Sequence, residues 1–510
     1  MNYKKLILIR KLVQLAFLGL LIISIAVSVY PFKLFFLSKI FVIFDPLNLV
    51  GPLFASRYFN PILLLSIIIL LSPIIFGRAF CGWICPLGTT IDIVDNIIKR
   101  ERTTSSIKTR KVKYLALIFF ISIALFGYQL SWYFDPIPIV WRSYAILILP
   151  VFYSIIGSIP EFFISINLLP EFFYSIFDKI STLFFPINAP SFTNLMVPFL
   201  IFITILLLNF ISKRFWCRNL CPLGALLGFI SRFSILKRKV DETCTNCSLC
   251  KKNCKMDAIN ADYISTDKSE CILCLNCTED CPKDSISFKF TSPFIYAKGP
   301  STTRRAVLKF GIFSVIGAGI LKVSSDRTSN DRLIRPPGAV KEDQFRDLCI
   351  RCGGCIRACS TSGGCLQFSI LTTGVTGFMT PRNNYNVGYC EYECNLCGNV
   401  CPTGAIRPLS IDEKKEVKMG TAVIQKDRCI PYRLDDNCIV CEEHCPVPEK
   451  AIKLERKTVF NKQYNRYMEV YYPYVIPELC IGCGICEYKC PIDGEPGIIV
   501  IREGERRYST

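Results

Sequence analysis

Cysteine is the residue whose abundance and spacing could do chemistry in this chain, with 29 among 510 residues. Cys244, Cys247, Cys250 and Cys254 follow the pattern CxxCxxCxxxC, and Cys271, Cys274, Cys277 and Cys281 repeat it with Pro282 behind. Three thiolates on one tight loop can ligate three irons of a cubane, and the fourth reaches the other cluster in two-cluster ferredoxins. That rule assigns Cys244, Cys247, Cys250 and Cys281 to one 4Fe-4S cluster, and Cys271, Cys274, Cys277 and Cys254 to a second. Four more groups lie beyond Arg335. Cys349, Cys352, Cys355 and Cys359 keep the standard spacing, as do Cys480, Cys483, Cys486 and Cys490. Cys390, Cys394, Cys397 and Cys401 open with CxxxC, and Cys429, Cys438, Cys441 and Cys445 open with a longer loop. Here the fourth cysteines exchange either between neighbouring groups or in a nested order, first with fourth and second with third. The spacing selects six 4Fe-4S clusters over zinc or disulfides.

Five cysteines remain. Cys81 and Cys85 in "CGWICPLG" match Cys217 and Cys221 in "CRNLCPLG". Brought together by pseudo-symmetry, these four thiolates would select zinc or an additional iron-sulfur site over harder metals; the plainer alternative is two buried pairs. Cys365 is expected to be a buried thiol rather than a replacement for Cys359. Lys255 and Ser360 stand where proline usually follows a fourth cysteine. Asp45 in "FDPLNLV" and Asp135 in "FDPIPIV" are the other repeated polar residues, near the outer ends of helices. A carboxyl there can accept protons from a quinol, although Asp-Pro is also a turn and helix-start signal, the reading favoured here. The only histidine, His444, rules out a bis-histidine haem, and no CxxCH or GxGxxG motif is present, so neither haem nor a nucleotide cofactor is expected. No nucleophile-base constellation occurs. The equipment fits a conductor of electrons better than a catalyst.

The elements that must position these thiols begin in an apolar half. Leu12–Tyr30, Pro61–Phe76, Val112–Leu130 and Met196–Ile211 are each apolar enough to cross a bilayer. The expected fold is an α-helical membrane domain of four core transmembrane helices plus a signal or anchor helix, carrying α+β bacterial-ferredoxin-like modules. Lys4, Lys5, Arg10, Lys11, "KRERTTSSIKTRKVK" and "SKRFWCRNLCPLGALLGFISRFSILKRK" fall on one side, which the positive-inside rule makes cytoplasmic. The net charge of +19 follows from these flanks, with no nucleic-acid partner required. Helix, Phe-Asp-Pro, helix and CxxxCPLG occur twice, an internal repeat. The second copy carries extra residues, about Tyr144 to Ser191, expected as re-entrant helices or a hairpin. The domains are then 1–235, polytopic; 236–295, a cytoplasmic two-cluster ferredoxin; 301–325, a signal or anchor; and 335–510, a four-cluster ferredoxin.

The stretch "STTRRAVLKFGIFSVIGAGIL" resembles a twin-arginine address, whose receptor-read pathway carries folded domains. Its uncharged core, Phe310 to Leu321, is shorter than the roughly 17 to 25 residues of an ordinary span. The alternative is a short interfacial helix with inside flanking charges. Taken together, "CGWICP", "CRNLCP" and the first two cluster groups resemble membrane ferredoxins of the NapH and MauN type. Residues from 301 onward are similar to the NapG and MauM type, with four cluster groups behind a twin-arginine signal. The resemblance implies a fusion of two partner subunits in the cytoplasmic membrane, with the C-terminal ferredoxin domain periplasmic. It implies electron transfer from membrane quinol to a periplasmic oxidoreductase of the nitrate-reductase type, or to its electron-transfer subunits. Supply of electrons for a partner's maturation, and flow from a dehydrogenase to quinone, are the competing functions.

Overall fold

The computed structural model describes residues 3–29, 34–58, 60–98, 107–155, 158, 192–291, 304–325, 330–370, 373–461 and 464–508. The chain divides into two compact units: Met1–Ala26 with Leu37–Leu147 and Met196–Ile320, and Val27–Phe36 with Ile148–Leu195 and Leu321–Thr510. The first ferredoxin module belongs to the helical unit, and two segments of the apolar half belong with the C-terminal ferredoxin.

The helical unit is built on the repeat. Its first helix, α1 (Tyr3–Ala26), is followed by α2 (Phe35–Ile43), α3 (Pro46–Ser56), α4 (Ser66–Phe76), α5 (Ala79–Trp83) and α6 (Pro86–Ile98). The second copy supplies α7 (Ile107–Leu125), α8 (Pro136–Ser143), α9 (Met196–Leu207), α10 (Phe215–Asn219) and α11 (Pro222–Ser231). Among the described residues two helices, Tyr3–Ala26 and Pro136–Ile155, are long and apolar enough to span, and α2 with α3 forms a pair bent by 84°. Of the four expected spans, then, only the first is met by such a helix. Pro61–Phe76 and Met196–Phe210 are shorter, and α7 opens with the bases Lys108, Arg110, Lys111 and Lys113.

The long helix Pro136–Ile155 falls where the sequence suggests broken structure. Pro136 sits at its first turn, where no backbone donor is needed. Pro150 is preceded by a π-helical turn, Tyr144–Ile148, which widens the backbone where the proline ring would otherwise strike the carbonyl one turn back. Most of the remaining extra segment lies outside the described residues.

Three modules carry the six cysteine groups, and each is closed by its own flanks. In the helical unit β1 (Leu236–Val240) pairs antiparallel with β2 (Ile286–Phe290), bracketing Cys244 to Cys281. In the second unit the bridge Ala339↔Ile406 brackets Cys349 to Cys401, within which β3 (Leu366–Phe368) pairs with β4 (Pro381–Asn383). Then β5 (Thr421–Ile424) pairs with β8 (Ile498–Ile501) around Cys429 to Cys490, with the long hairpin β6 (Ile452–Asn461) and β7 (Arg466–Val475) inserted between its two groups. The helix α12 (Arg304–Ser325) carries exposed Leu308, Ile312, Phe313 and Ile316. A further helix, α13 (Glu342–Leu348), precedes Cys349.

Candidate iron-sulfur centres

The loops that hold the thiols share one backbone shape. In each of the four groups of standard spacing, the second and fourth residues after the first cysteine have positive φ: Asn246 and Ser248, Leu273 and Leu275, Arg351 and Gly353, Gly482 and Gly484. Alternation of this kind turns successive N–H groups inward and makes a concavity suited to an anionic guest. Five of the eight are not glycine and hold a conformation that costs energy, as ligand-clamping loops often do. The group opening with CxxxC, Cys390 to Cys401, has no such residue.

Four small, partly open pockets are each lined by four cysteines and are of similar size, ≈ 340 to ≈ 400 Å³ of space that includes their open mouths. One gathers Cys244, Cys247 and Cys250 with Cys281. The others gather Cys349, Cys352 and Cys355 with Cys401, Cys480, Cys483 and Cys486 with Cys445, and Cys429, Cys438 and Cys441 with Cys490. The two remaining sets are mutual neighbours: Cys271, Cys274 and Cys277 with Cys254, and Cys390, Cys394 and Cys397 with Cys359. Of the two orders left open by the sequence, the chain adopts exchange between neighbouring groups. Among the described residues no three Cys, His, Asp or Glu side chains could hold a single metal ion. The donor sets instead fit a larger, four-iron guest, each offering four sulfurs in an apolar wall. Burial pushes the Cys352, Cys390, Cys441 and Cys483 thiols up to about 12, so thiolate at neutral pH requires an electropositive partner there.

Cys365 is buried and donates a hydrogen bond that holds the Cys359 thiol below its ordinary value. His444 is exposed, with Nδ1 3.0 Å from the Val440 carbonyl, and lines none of the four cavities. Asp45 and Asp135 are each fully buried and face one another. Each caps a helix, Asp45 accepting from the Leu47 N–H at 3.0 Å and Asp135 from that of Ile137 at 3.2 Å.

The CxxxCP turns have matching backbones. The Cys85 N–H donates to the Phe80 carbonyl at 2.9 Å and that of Cys221 to Trp216 at 3.0 Å, and each cysteine's carbonyl then accepts from the fourth residue on, Thr89 or Ala225. Cys81 and Cys217 pack beside Met256, Ala258 and Ile272 together with Cys254, Cys271 and Cys274. The approach is so close that a Cβ on Gly82 would lie 2.2 Å from the Ile272 carbonyl oxygen. Lys255, the residue in place of proline, reaches Asp92 at 3.0 Å. Arg214 also binds Asp92, at 2.8 Å, while Arg78 and Lys113 hold Glu270 at 3.0 and 2.6 Å. Burial alone would raise Glu270, but Lys113 and Arg78 hold it below the usual carboxylate range. Sequence reasoning missed this network, since Asp92 and Glu270 lie in no motif. A signal was available in the arginine three residues before each CxxxCP, "RAFC" and "RFWC".

A model of a 4Fe-4S binding domain matches residues 59–105 and 194–241, and a second matches residues 473–494. The methylamine utilization ferredoxin-type protein MauM of Methylorubrum extorquens is 31% identical over 40% of this chain and 91% of its own length. The ferredoxin-type protein NapG of Escherichia coli is 34% identical over 39% of this chain and 83% of its own. The putative electron transport protein YccM of Escherichia coli is 29% identical over 53% and 68%. No solved structure matches.

Proposed function

Because the chain belongs to the family of the ferredoxin-type proteins NapG and MauM, we propose that this iron-sulfur electron-transfer protein is a membrane-held relay. It takes electrons from membrane quinol and delivers them to a periplasmic oxidoreductase, or to that enzyme's electron-transfer subunits. The observation that carries the reading is the pairing of cysteine groups within three modules closed by their own flanks, which sets sites side by side along the chain. Each bound 4Fe-4S cluster would exchange one electron at a time. The ligands in this reading are the six sets named above, 24 cysteines in all. The residues around them exclude water, fix the thiolates on strained loops and offset their charge with buried cations.

In this reading four core helices and the α12 anchor cross the bilayer, an N-terminal NapH-like half is fused to a NapG-like half, two clusters stay inside and four lie across the membrane. The composition of the second unit supports that sidedness. It joins Leu321–Thr510 to Val27–Phe36 and Ile148–Leu195, two segments on the side opposite the basic loops. Thr193 N–H donates to Gln367 Oε1 at 2.8 Å, Asn194 Nδ2 to the Phe368 carbonyl at 3.0 Å, and the Arg357 guanidinium lies 5.3 Å from the centre of the Tyr153 ring.

Sealed vesicles test the function. Quinol is expected to bleach the iron-sulfur absorbance, and a nitrate-reductase-type acceptor on the opposite face is expected to restore it. Reduction that no acceptor reverses would count against the relay. The methylamine utilization in the name of MauM favours one second reading, a dehydrogenase on that face feeding quinone, for which the same vesicles would show reduction from the other side.

A further inference from the structure

Resting on the relay reading and going beyond it, we infer that the four centres of the second unit stand in single file out of sequence order, with Lys414 positioning the junction where electrons cross from the second module to the third. Each centre is named here by its first cysteine. Exchange of fourth cysteines joins the Cys349 centre to the Cys390 centre, and the Cys480 centre to the Cys429 centre. Sequence order would continue the file from Cys390 to Cys429, but the chain sets Cys390 against Cys483 instead. Three successive carbonyls of one third-module loop, those of Ile481, Gly482 and Cys483, accept from the Met419 N–H at 2.9 Å, the Tyr385 hydroxyl at 2.6 Å and the Cys390 N–H at 2.9 Å. Tyr385 and Cys390 belong to the second module, and Cys390 and Cys483 belong to different cysteine sets. Their hydrogen bond is therefore a direct ligand-to-ligand bridge between modules. The fit is close, since a Cβ on Gly484 would lie 2.2 Å from the Tyr385 ring. One apolar core continues across the contact, holding Cys480, Cys483 and Cys441 together with Cys359, Cys390 and Cys445.

The second, independent observation is Lys414, on the short helix Ile411–Glu416 that connects the two modules. It is fully buried, and its Nζ donates to the carbonyls of Glu391 at 2.6 Å and Tyr392 at 2.9 Å. These are the two residues after Cys390, in a loop without the positive-φ alternation of the standard groups. Lys414 thus braces the loop that the backbone shape does not. Its hydrogen-bond partners among the described residues are carbonyls rather than carboxylates, and a buried ammonium requires opposite charge. When four thiolates surround a 4Fe-4S core carrying two positive charges, the assembled site is dianionic, so the Cys390 and Cys480 centres supply that charge. The ammonium in turn favours the reduced form of both, since an added electron makes each centre more negative. One electron crosses at a time: the centre it leaves is oxidised, the centre it enters is reduced, and no bond or proton moves. The Cys349 and Cys429 centres are then the two ends of the file.

Iron positions located by anomalous scattering in crystals of the loaded full-length protein test the file. The Cys480 cubane is expected to be the third-module centre nearest the Cys390 cubane, and a Cys429 cubane lying nearer would overturn the inference. Because these positions need no variant, a folding failure leaves the test intact. EPR-monitored redox titrations with iron counts test Lys414. At unchanged iron content, Lys414→Met should move two centres to lower potential, one in each module, and Lys414→Arg should leave both close to the parent. A shift in one centre alone, or in none, would overturn the junction role. Either failure alongside intact quinol-driven reduction in vesicles would leave the relay standing.

Discussion

At the scale of single residues, the sites depend on groups that carry no iron-binding motif. Asp92 gathers Arg214 and Lys255 in a nearly dry setting. Removing one partner of such a cluster leaves charge buried without compensation, a loss of about 3–5 kcal/mol. Asp92→Asn should therefore lower the thermal midpoint of the detergent-solubilised protein markedly, whereas an unchanged midpoint would mean that water reaches the cations. Cys365 offers a sharper test. Its hydrogen bond to Cys359 withdraws charge from a ligand sulfur and so raises the cluster's potential. Cys365→Ala should shift one cluster of the second unit to lower potential in an EPR-monitored titration, with the iron count unchanged. Loss of about four irons would instead make Cys365 the ligand and Cys359 the spare.

At the scale of elements, α13 shows how acid should open the second unit. Arg335 holds Glu342 through Nε to Oε2 at 3.0 Å and Nη2 to Oε1 at 2.5 Å, and lies over the Phe345 ring. Burial alone would raise the Glu342 carboxyl, but Arg335 holds it below its ordinary value. A carboxyl lowered on folding stabilises above its unfolded value, about 4.3, and that contribution is lost as pH falls through the lower folded value. Glu342→Gln should thus be less stable than the parent at pH 7, and the gap should begin to close only once pH falls below about 4.3 when iron-sulfur absorbance is followed. Elements also mark where the sequence was readable. The CxxCxxCxxxC loops were legible because ligand spacing is local. Neighbour exchange was not, since it depends on which distant flanks pair, as β5 does with β8. The helix Pro136–Ile155 was hidden because its prolines read as breaks, and only the π turn before Pro150 reconciles them. The facing of Asp45 and Asp135 was equally hidden, a contact between repeat copies that no single motif encodes.

At the scale of the whole molecule, the central question is which part is carried across the bilayer. If α12 is read as an address by a receptor, replacing Arg304 and Arg305 together by lysine preserves charge and hydropathy yet should strand the second unit inside. A reporter fused after Thr510 would then change from external to cytoplasmic, while one inserted after Thr291 would stay cytoplasmic in both. Unchanged external display would show that the paired arginines act only as flanking charges. The closed modules carry a further consequence, for damage. Each cavity draws its fourth cysteine from the neighbouring group, so oxygen that destroys one centre unties a wall of the next. Decay in air should therefore proceed in twos among these six centres, and repair must rebuild a module at a time.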